Sequence, residues 1–494
     1  MAIKTGKEYL ESLRRLKPTV YVEGQRYDDK TAKSVIDDPR IKPSLDTIAM
    51  VYDMANNPEY AAIMTTTSHL TGEKISRFTH IAQSTEDLEL KVRMLRLLQQ
   101  KSGGVCIMRC STLDGLASPY SITYEMDQKL GTEYHKRFKE FVKRVQQNDL
   151  YVNLAVTDPK GDRRLRPREQ KDPDMYLRVV KKESDGIVVR GAKFHQTAAI
   201  GAHVRLVTPT RALAADEKDY AVMFSVPADA KGTTLVASQT APVADRLEGE
   251  EGIAKDLARY ASHTTWTFFD DVFVPWEDVY MYGEYEYTHP LIIRFGGQHR
   301  ATYGGCFAGR GDTWMGLAAA LAETHGLSRD SIINDKIVEI AYLNEVMFGL
   351  GIACAHCGFK TPSGVYIPDE KLANALKINI SRAPYEQVRL LEYICGGIFL
   401  TIPSEKDVRH PELRERIDKY IKEVDGIPAE DRIRLVSLLN VILGGSIRGS
   451  LAGPYGSCMG AAGGEGAAKV HLRTCIDIEG NKRLAKLAAG IVQD

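Results

Sequence analysis

Tyr176-Leu-Arg-Val-Val180, followed by Asp185-Gly186 and Ile187-Val-Val189, reads as a β-hairpin: two β-branched runs around an Asp-Gly turn signal. It lies in a region whose texture changes near Tyr151, where short β-rich runs punctuated by turn residues begin. Further runs of strand composition stand at 204–207, 221–226, 234–237 and 265–274, the last stopped by Pro275. On the N-terminal side the pattern is helical. Ser84 with Asp87 gives a capping-box start, and Leu88, Val92 and Leu95 recur at i, i+4, i+7 until Gly103-Gly104 interrupts them. Tyr134, Phe138, Phe141, Val142 and Val145 share a second apolar face. After about Gly311 long helical patterns return, broken by Pro362, Pro403 and Pro411. Helices, then strands, then helices predict an α+β chain with an N-terminal helical domain (1–150), a central β domain (151–280) and a C-terminal helical bundle (281–494).

The chain has 494 residues, of which 44% are apolar and 26% charged, the balance of a globular enzyme with two or three domains. Lys+Arg and Asp+Glu stand at 65 each, which gives no electrostatic footprint for nucleic acid or an anionic membrane. The N-terminus has no apolar core of a secretion signal, and no stretch reads as membrane-spanning, so a cytoplasmic location is expected. Eight cysteines are too few for a disulfide scaffold, which leaves them open to metal or redox duty.

Cys106 and Cys110 are four apart, a spacing that puts both thiols on one side of a helix or helix-like turn. His299, Tyr303 and Cys306 fall at i, i+4, i+7, so one helical face would present an imidazole, a phenol and a thiol. Three thiols and an imidazole suit zinc or an iron–sulfur cluster, and spacing alone does not choose between them. Cys354-Ala-His-Cys357 is a competing metal or redox motif, but it lacks a second pair and follows an apolar helical pattern, so packing is the preferred reading. Two polar segments could face a ligand: the loop holding Thr157, Asp158, Pro159, Lys160 and Asp162, and His195-Gln196-Thr197 at the end of a β run. No G-x-G-x-x-G loop follows a strand, which argues against a Rossmann site. The glycine-rich stretch 449–466 reads as a loop whose backbone approaches something closely.

Together these motifs resemble the 4-hydroxybutyryl-CoA dehydratase family, itself similar to flavin-dependent 4-hydroxyphenylacetate 3-monooxygenases and built like acyl-CoA dehydrogenases. The resemblance spans nearly the whole chain. It rests on residues 153–162, Lys193-Phe-His-Gln-Thr197, Phe269-Asp-Asp-Val-Phe-Val-Pro275, the run from His299 to Cys306, and Pro403-Ser-Glu-Lys406. It implies an acyl-CoA dehydrogenase-like fold whose middle domain is a β-barrel, and a homotetramer with Gly396-Gly397 at a subunit contact. It also implies a 4Fe–4S cluster on Cys106, Cys110, His299 and Cys306. FAD would be bound by Thr157, Asp158, Pro159, Lys160, Asp162, His195, Gln196 and Thr197. The implied activity is radical dehydration of a 4-hydroxyacyl-CoA, with vinylacetyl-CoA Δ-isomerase activity, in which His299 and Tyr303 act as catalytic groups. The chain departs from the family pattern at Phe307, Ser457 and near Thr264, which implies a larger or less polar acyl group. A flavin monooxygenase or acyl-CoA dehydrogenase relative without a cluster, and a zinc-stabilised non-catalytic relative, are the alternatives.

Overall fold

A computed structural model of the chain describes residues 3–238, 252–253, 257, 259–422, 424, 426–443, 463–489 and 491. The glycine-rich stretch up to Ala462, with Ser457 and Cys458, lies outside them. The N-terminal layer runs α1 (Gly6–Arg14), β1 (Thr19–Val22), β2 (Gln25–Tyr27), α2 (Lys42–Asn56), α3 (Ala61–Met64), β3 (Thr65–Thr67), β4 (Lys74–Ser76), α4 (Thr85–Lys101), α5 (Cys110–Leu130) and α6 (Tyr134–Gln147). Ser84 caps α4 by accepting from the Asp87 amide, and α6 buries the apolar face read from its sequence. This layer is not purely helical. β1 pairs in parallel with a central strand, so residues 19–27 complete the large sheet.

The strands of the middle region are β5 (Val152–Ala155), β6 (Arg178–Lys182), β7 (Gly186–Thr197), β8 (Val204–Val207), β9 (Val222–Pro227), β10 (Thr233–Ala237), β11 (Thr264–Pro275) and β12 (Val279–Tyr282). The hairpin β6–β7 forms as expected, but its turn sits one residue early. Val180 is the extra residue of a bulge between the Val179 and Lys181 pairings, and the Glu183 N–H donates to the Gly186 oxygen at 2.8 Å.

The expected β-barrel is not what these strands build. They form a six-stranded sheet, β2-β1-β10-β11-β7-β6, and a four-stranded one, β12-β9-β8-β5, and neither closes among the described residues. Val189, Phe269, Val272 and Val274 of the first share one apolar core with Val207, Val222, Phe224 and Val279 of the second, so the two pack face to face as a sandwich. Closure fails because the chain leaves β5 for a polar loop. It reaches β7 through the Phe194 N–H to Thr157 oxygen bond at 2.7 Å rather than through a ladder.

The C-terminal region opens with α7 (Thr288–Thr324), α8 (Ser331–His356), α9 (Glu370–Ile380) and α10 (Ala383–Cys395). α7 begins well before Gly311, where the sequence pattern first looks helical. Its glycines hide the periodicity because they serve close packing: a Cβ on Gly305 would lie 2.0 Å from the Val92 carbonyl oxygen of α4. α8 also corrects the expectation of no membrane-length apolar stretch. By length and apolar composition it would allow a span; Ile340, Met347 and Cys354 are buried within the bundle, while Val338 and Tyr342 are exposed. One continuous core joins α1 and α2 to Cys106, Tyr303, Cys306 and Met347 and so fixes the N-terminal layer against α7 and α8.

Candidate functional site

The cysteine loop and α7 are tied together at both ends. Arg310, one turn beyond Cys306, donates from Nε to the Gly104 oxygen at 3.1 Å, two residues before Cys106. One turn beyond Cys110, Asp114 meets His299 Nδ1 at 2.6 Å. Between these ties Cys106, Cys110, His299, Tyr303 and Cys306 are all buried, and none of the three thiols is in a disulfide. The spacing of Cys106 and Cys110 allows a helix or a helix-like turn, and a shared helix is not what forms. Met108 adopts φ +65° and breaks the path, so Cys110 opens α5 while Cys106 stays in the loop. Arg109 anchors that loop from inside: it is fully buried, pairs with Asp149 at 2.9 Å and lies 3.9 Å over the Tyr52 ring.

His299 is held at Nδ1 and by two aromatic neighbours. Its ring stacks on Phe295 at 5.5 Å and meets the edge of Tyr303 at 4.8 Å. Asp114, with no exposed side-chain surface, pairs through its other oxygen with Lys91 and accepts there from Thr302 at 2.9 Å. Burial pushes the Asp114 carboxyl up, but Lys91 and the His299 contact more than offset it and hold it below the usual range. Lys91 also donates to Gln298 Oε1 at 3.2 Å, and the Lys377 ammonium sits 4.7 Å over the Tyr303 ring. Asp114 and Lys91 escaped the sequence reading. Their signal was present: Asp114 is a lone charge among Leu113, Gly115, Leu116 and Ala117, and Lys91 interrupts the apolar stripe of α4.

The two polar segments also come together. Phe194 bonds to Thr157 as described, burial pushes the His195 imidazole below its ordinary value with help from nearby Lys160, and Phe194 stacks on Trp266 at 4.3 Å. Thr197 pairs with Thr264 across β7 and β11. Asp158 is spent internally: it pairs with buried Lys193 at 2.9 Å and accepts from the Leu177 amide. Asp162 pairs with Arg164 and Pro159 is half-buried, so these two shape the loop. Asn153 Oδ1 and Gln196 Nε2 are buried without hydrogen-bond partners beside Thr197, whose oxygen Asn153 Nδ2 reaches at 2.9 Å. An unmet acceptor on β5 and an unmet donor on β7 are groups that a flavin ring edge, which carries both donors and acceptors, could satisfy. Tyr151 stands between the two areas. Its hydroxyl lies 3.2 Å from the Met108 oxygen and 3.4 Å from that of Thr197, and the nearby Cys106 and Cys110 thiols help burial push it up.

Among the described residues no three His, Cys, Asp or Glu side chains stand close enough to share a single metal ion. The donor types, three buried thiols and an anchored imidazole, are ones that a four-iron cluster can take, with one protein ligand per iron. Cys354 belongs to a separate small core with Ala301 and Ala373, its thiol pushed up by burial, while Cys357 is exposed. Phe307 is 2% exposed, edge-on to Tyr303 with the Arg310 guanidinium over its ring, which is a packing role.

Residues 5–281 match the family described as 4-hydroxyphenylacetate 3-hydroxylase N terminal, and residues 289–490 its C-terminal counterpart. The chain is 41% identical over 500 residues to the 4-hydroxybutyryl-CoA dehydratase/vinylacetyl-CoA-Δ-isomerase of Clostridium aminobutyricum, covering 99% of this chain and 100% of that one. An oxygen-tolerant archaeal 4-hydroxybutyryl-CoA dehydratase from N. maritimus has a solved structure that matches with a TM-score of 0.93 at 40% identity, over 100% of this chain and 96% of that one. The oxygenase component of 4-hydroxyphenylacetate 3-monooxygenase, solved in complex with FAD, shares the fold at a TM-score of 0.84 and 22% identity over 99% of each chain. The chain therefore belongs to the 4-hydroxyphenylacetate 3-hydroxylase family and, by its full-length relatives, to the 4-hydroxybutyryl-CoA dehydratase family of lyases.

Proposed function

We propose that this enzyme is an FAD- and 4Fe–4S-dependent radical dehydratase of a 4-hydroxyacyl-CoA thioester, with vinylacetyl-CoA Δ-isomerase activity, working as a homotetramer. The observation that carries the reading is the buried His299 imidazole, held through Nδ1 by Asp114 and flanked along α7 by Tyr303 and Cys306. Full-length identity of 41% to a dehydratase/isomerase supports the reaction class. When bound, the flavin supplies one-electron chemistry, and the histidine-ligated iron supplies a Lewis acid for the departing hydroxyl.

The chain's own residues have separable duties. Cys106, Cys110 and Cys306 would give thiolates and His299 its Nε2 to the cluster, and the His299 imidazole would be the base for the substrate C–H proton. Tyr303, fully buried against His299 and beneath Lys377, orients the substrate or passes the proton on. Thr157, Lys160, His195, Gln196 and Thr197 line the flavin, while Asp158, Pro159 and Asp162 hold the loop in shape. The buried setting keeps water away from a reactive intermediate.

Anaerobically purified protein should contain FAD, iron and acid-labile sulfide. It should convert 4-hydroxybutyryl-CoA or a longer 4-hydroxyacyl-CoA to the enoyl-CoA, read by mass spectrometry, and the panel also ranks the acyl groups. Flavin without iron, or turnover of a phenol with oxygen and none of any thioester, would overturn the reading in favour of a hydroxylase.

A further inference from the structure

We infer that Asp114, clamped by Lys91 and Thr302, is the positioning residue that fixes the tautomer and orientation of His299. The inference rests on the reading of His299 as ligand and base. Asp114 Oδ2 lies 2.6 Å from His299 Nδ1, and both residues are buried. A carboxylate only accepts, so the hydrogen in this contact belongs to Nδ1 and the lone pair falls to Nε2. The Phe295 stack and the Tyr303 edge limit rotation of the ring, which leaves one nitrogen in one direction for iron or a proton. The carboxylate is itself held fast. Its Oδ1 takes the Lys91 ammonium and the Thr302 hydroxyl, and Lys91 is steadied by Gln298. The four elements of this relay sit on three helices: α4 supplies the cation, α5 the carboxylate, and α7 the imidazole and the hydroxyl.

The clamp makes an isosteric change informative. In Asp114→Asn the oxygen must stay with Lys91, which can only donate, so the amide nitrogen faces His299. It then donates to Nδ1 and drives the ring hydrogen onto Nε2, the nitrogen that should be bare. Replacing the whole pair, Lys91→Met with Asp114→Leu, leaves no buried charge and frees the ring from its anchor.

The test compares wild type, Asp114→Asn, the double variant and His299→Ala, all purified anaerobically as holoenzyme, by iron and flavin content, far-UV circular dichroism and the rate of iron loss to a chelator. Both Asp114 variants should keep flavin and secondary structure while their hold on iron weakens on the order of 10–100-fold, as for other outer ligands, with Asp114→Asn the worse. If Asp114→Asn fails to fold, the double variant decides by the same measurement. Iron retention equal to wild type in either folded Asp114 variant, with His299→Ala depleted, overturns the positioning role alone. Retention in His299→Ala as well overturns the cluster reading on which it rests.

Discussion

Arg310 and Gly104 join the cysteine loop to α7: the guanidinium Nε donates to the Gly104 oxygen at 3.1 Å, and Gly104 takes φ +85° to let the side chain pass. A Cβ there would sit 3.2 Å from Arg310 Cγ in a backbone conformation that L-residues avoid. Gly104→Ala should cost about 1–2 kcal/mol of stability from the left-handed backbone alone. Urea denaturation of the purified protein measures it, and an unchanged midpoint would refute the strain.

Tyr151 spans the two halves of the site, since its hydroxyl reaches both the Met108 and Thr197 oxygens. Tyr151→Phe should lower stability by about 1 kcal/mol. It should also raise amide hydrogen exchange in both segments, around residues 105–109 and 195–198. Faster exchange in one segment only would show that Tyr151 does not couple them.

Lys193 and Asp158 are buried together, with Lys193 also donating to the Val156 and Thr208 oxygens at 2.9 Å each. Lys193→Met leaves a buried carboxylate without its cation and should cost about 3–5 kcal/mol, whereas Lys193→Met with Asp158→Leu should recover most of that. Thermal unfolding of the two variants separates charge from packing. Equal losses in both would assign the effect to shape.

Acid should destabilise the fold through two buried histidines. Burial pushes His203 and His263 down to about 3 from 6.5, helped at His203 by Lys4 and Arg109. Below pH 6.5 the unfolded chain gains a proton at each site, while the folded chain resists until near pH 3. Their contribution is therefore complete above pH 6.5 and is lost as the pH falls, by up to ~1.4 kcal/mol per pH unit for each. Stability curves taken between pH 7 and 4 should show this slope, and His203→Asn should reduce it by about one proton's worth.

Much of the secondary structure was legible in the residues themselves. The Ser84 cap, the apolar face from Tyr134 to Val145 and the β-branched runs of the middle region are local patterns, and local hydrogen bonding and side-chain periodicity are enough to specify them. The cysteine spacings and the His299–Cys306 run also carried the family resemblance, because ligand chemistry constrains residue type at fixed positions. Tertiary packing decided the rest. Whether β5 closes onto β7, whether residues 19–27 join the sheet, and whether Cys106 shares a helix with Cys110 depend on contacts that chain periodicity does not encode. The clearest case is the Lys91–Asp114–His299 relay. Lys91 and Asp114 each read alone as an oddly placed polar residue on its helix, and only the packing of α4 and α5 against α7 buries both with His299, so that each must find its partner in the others.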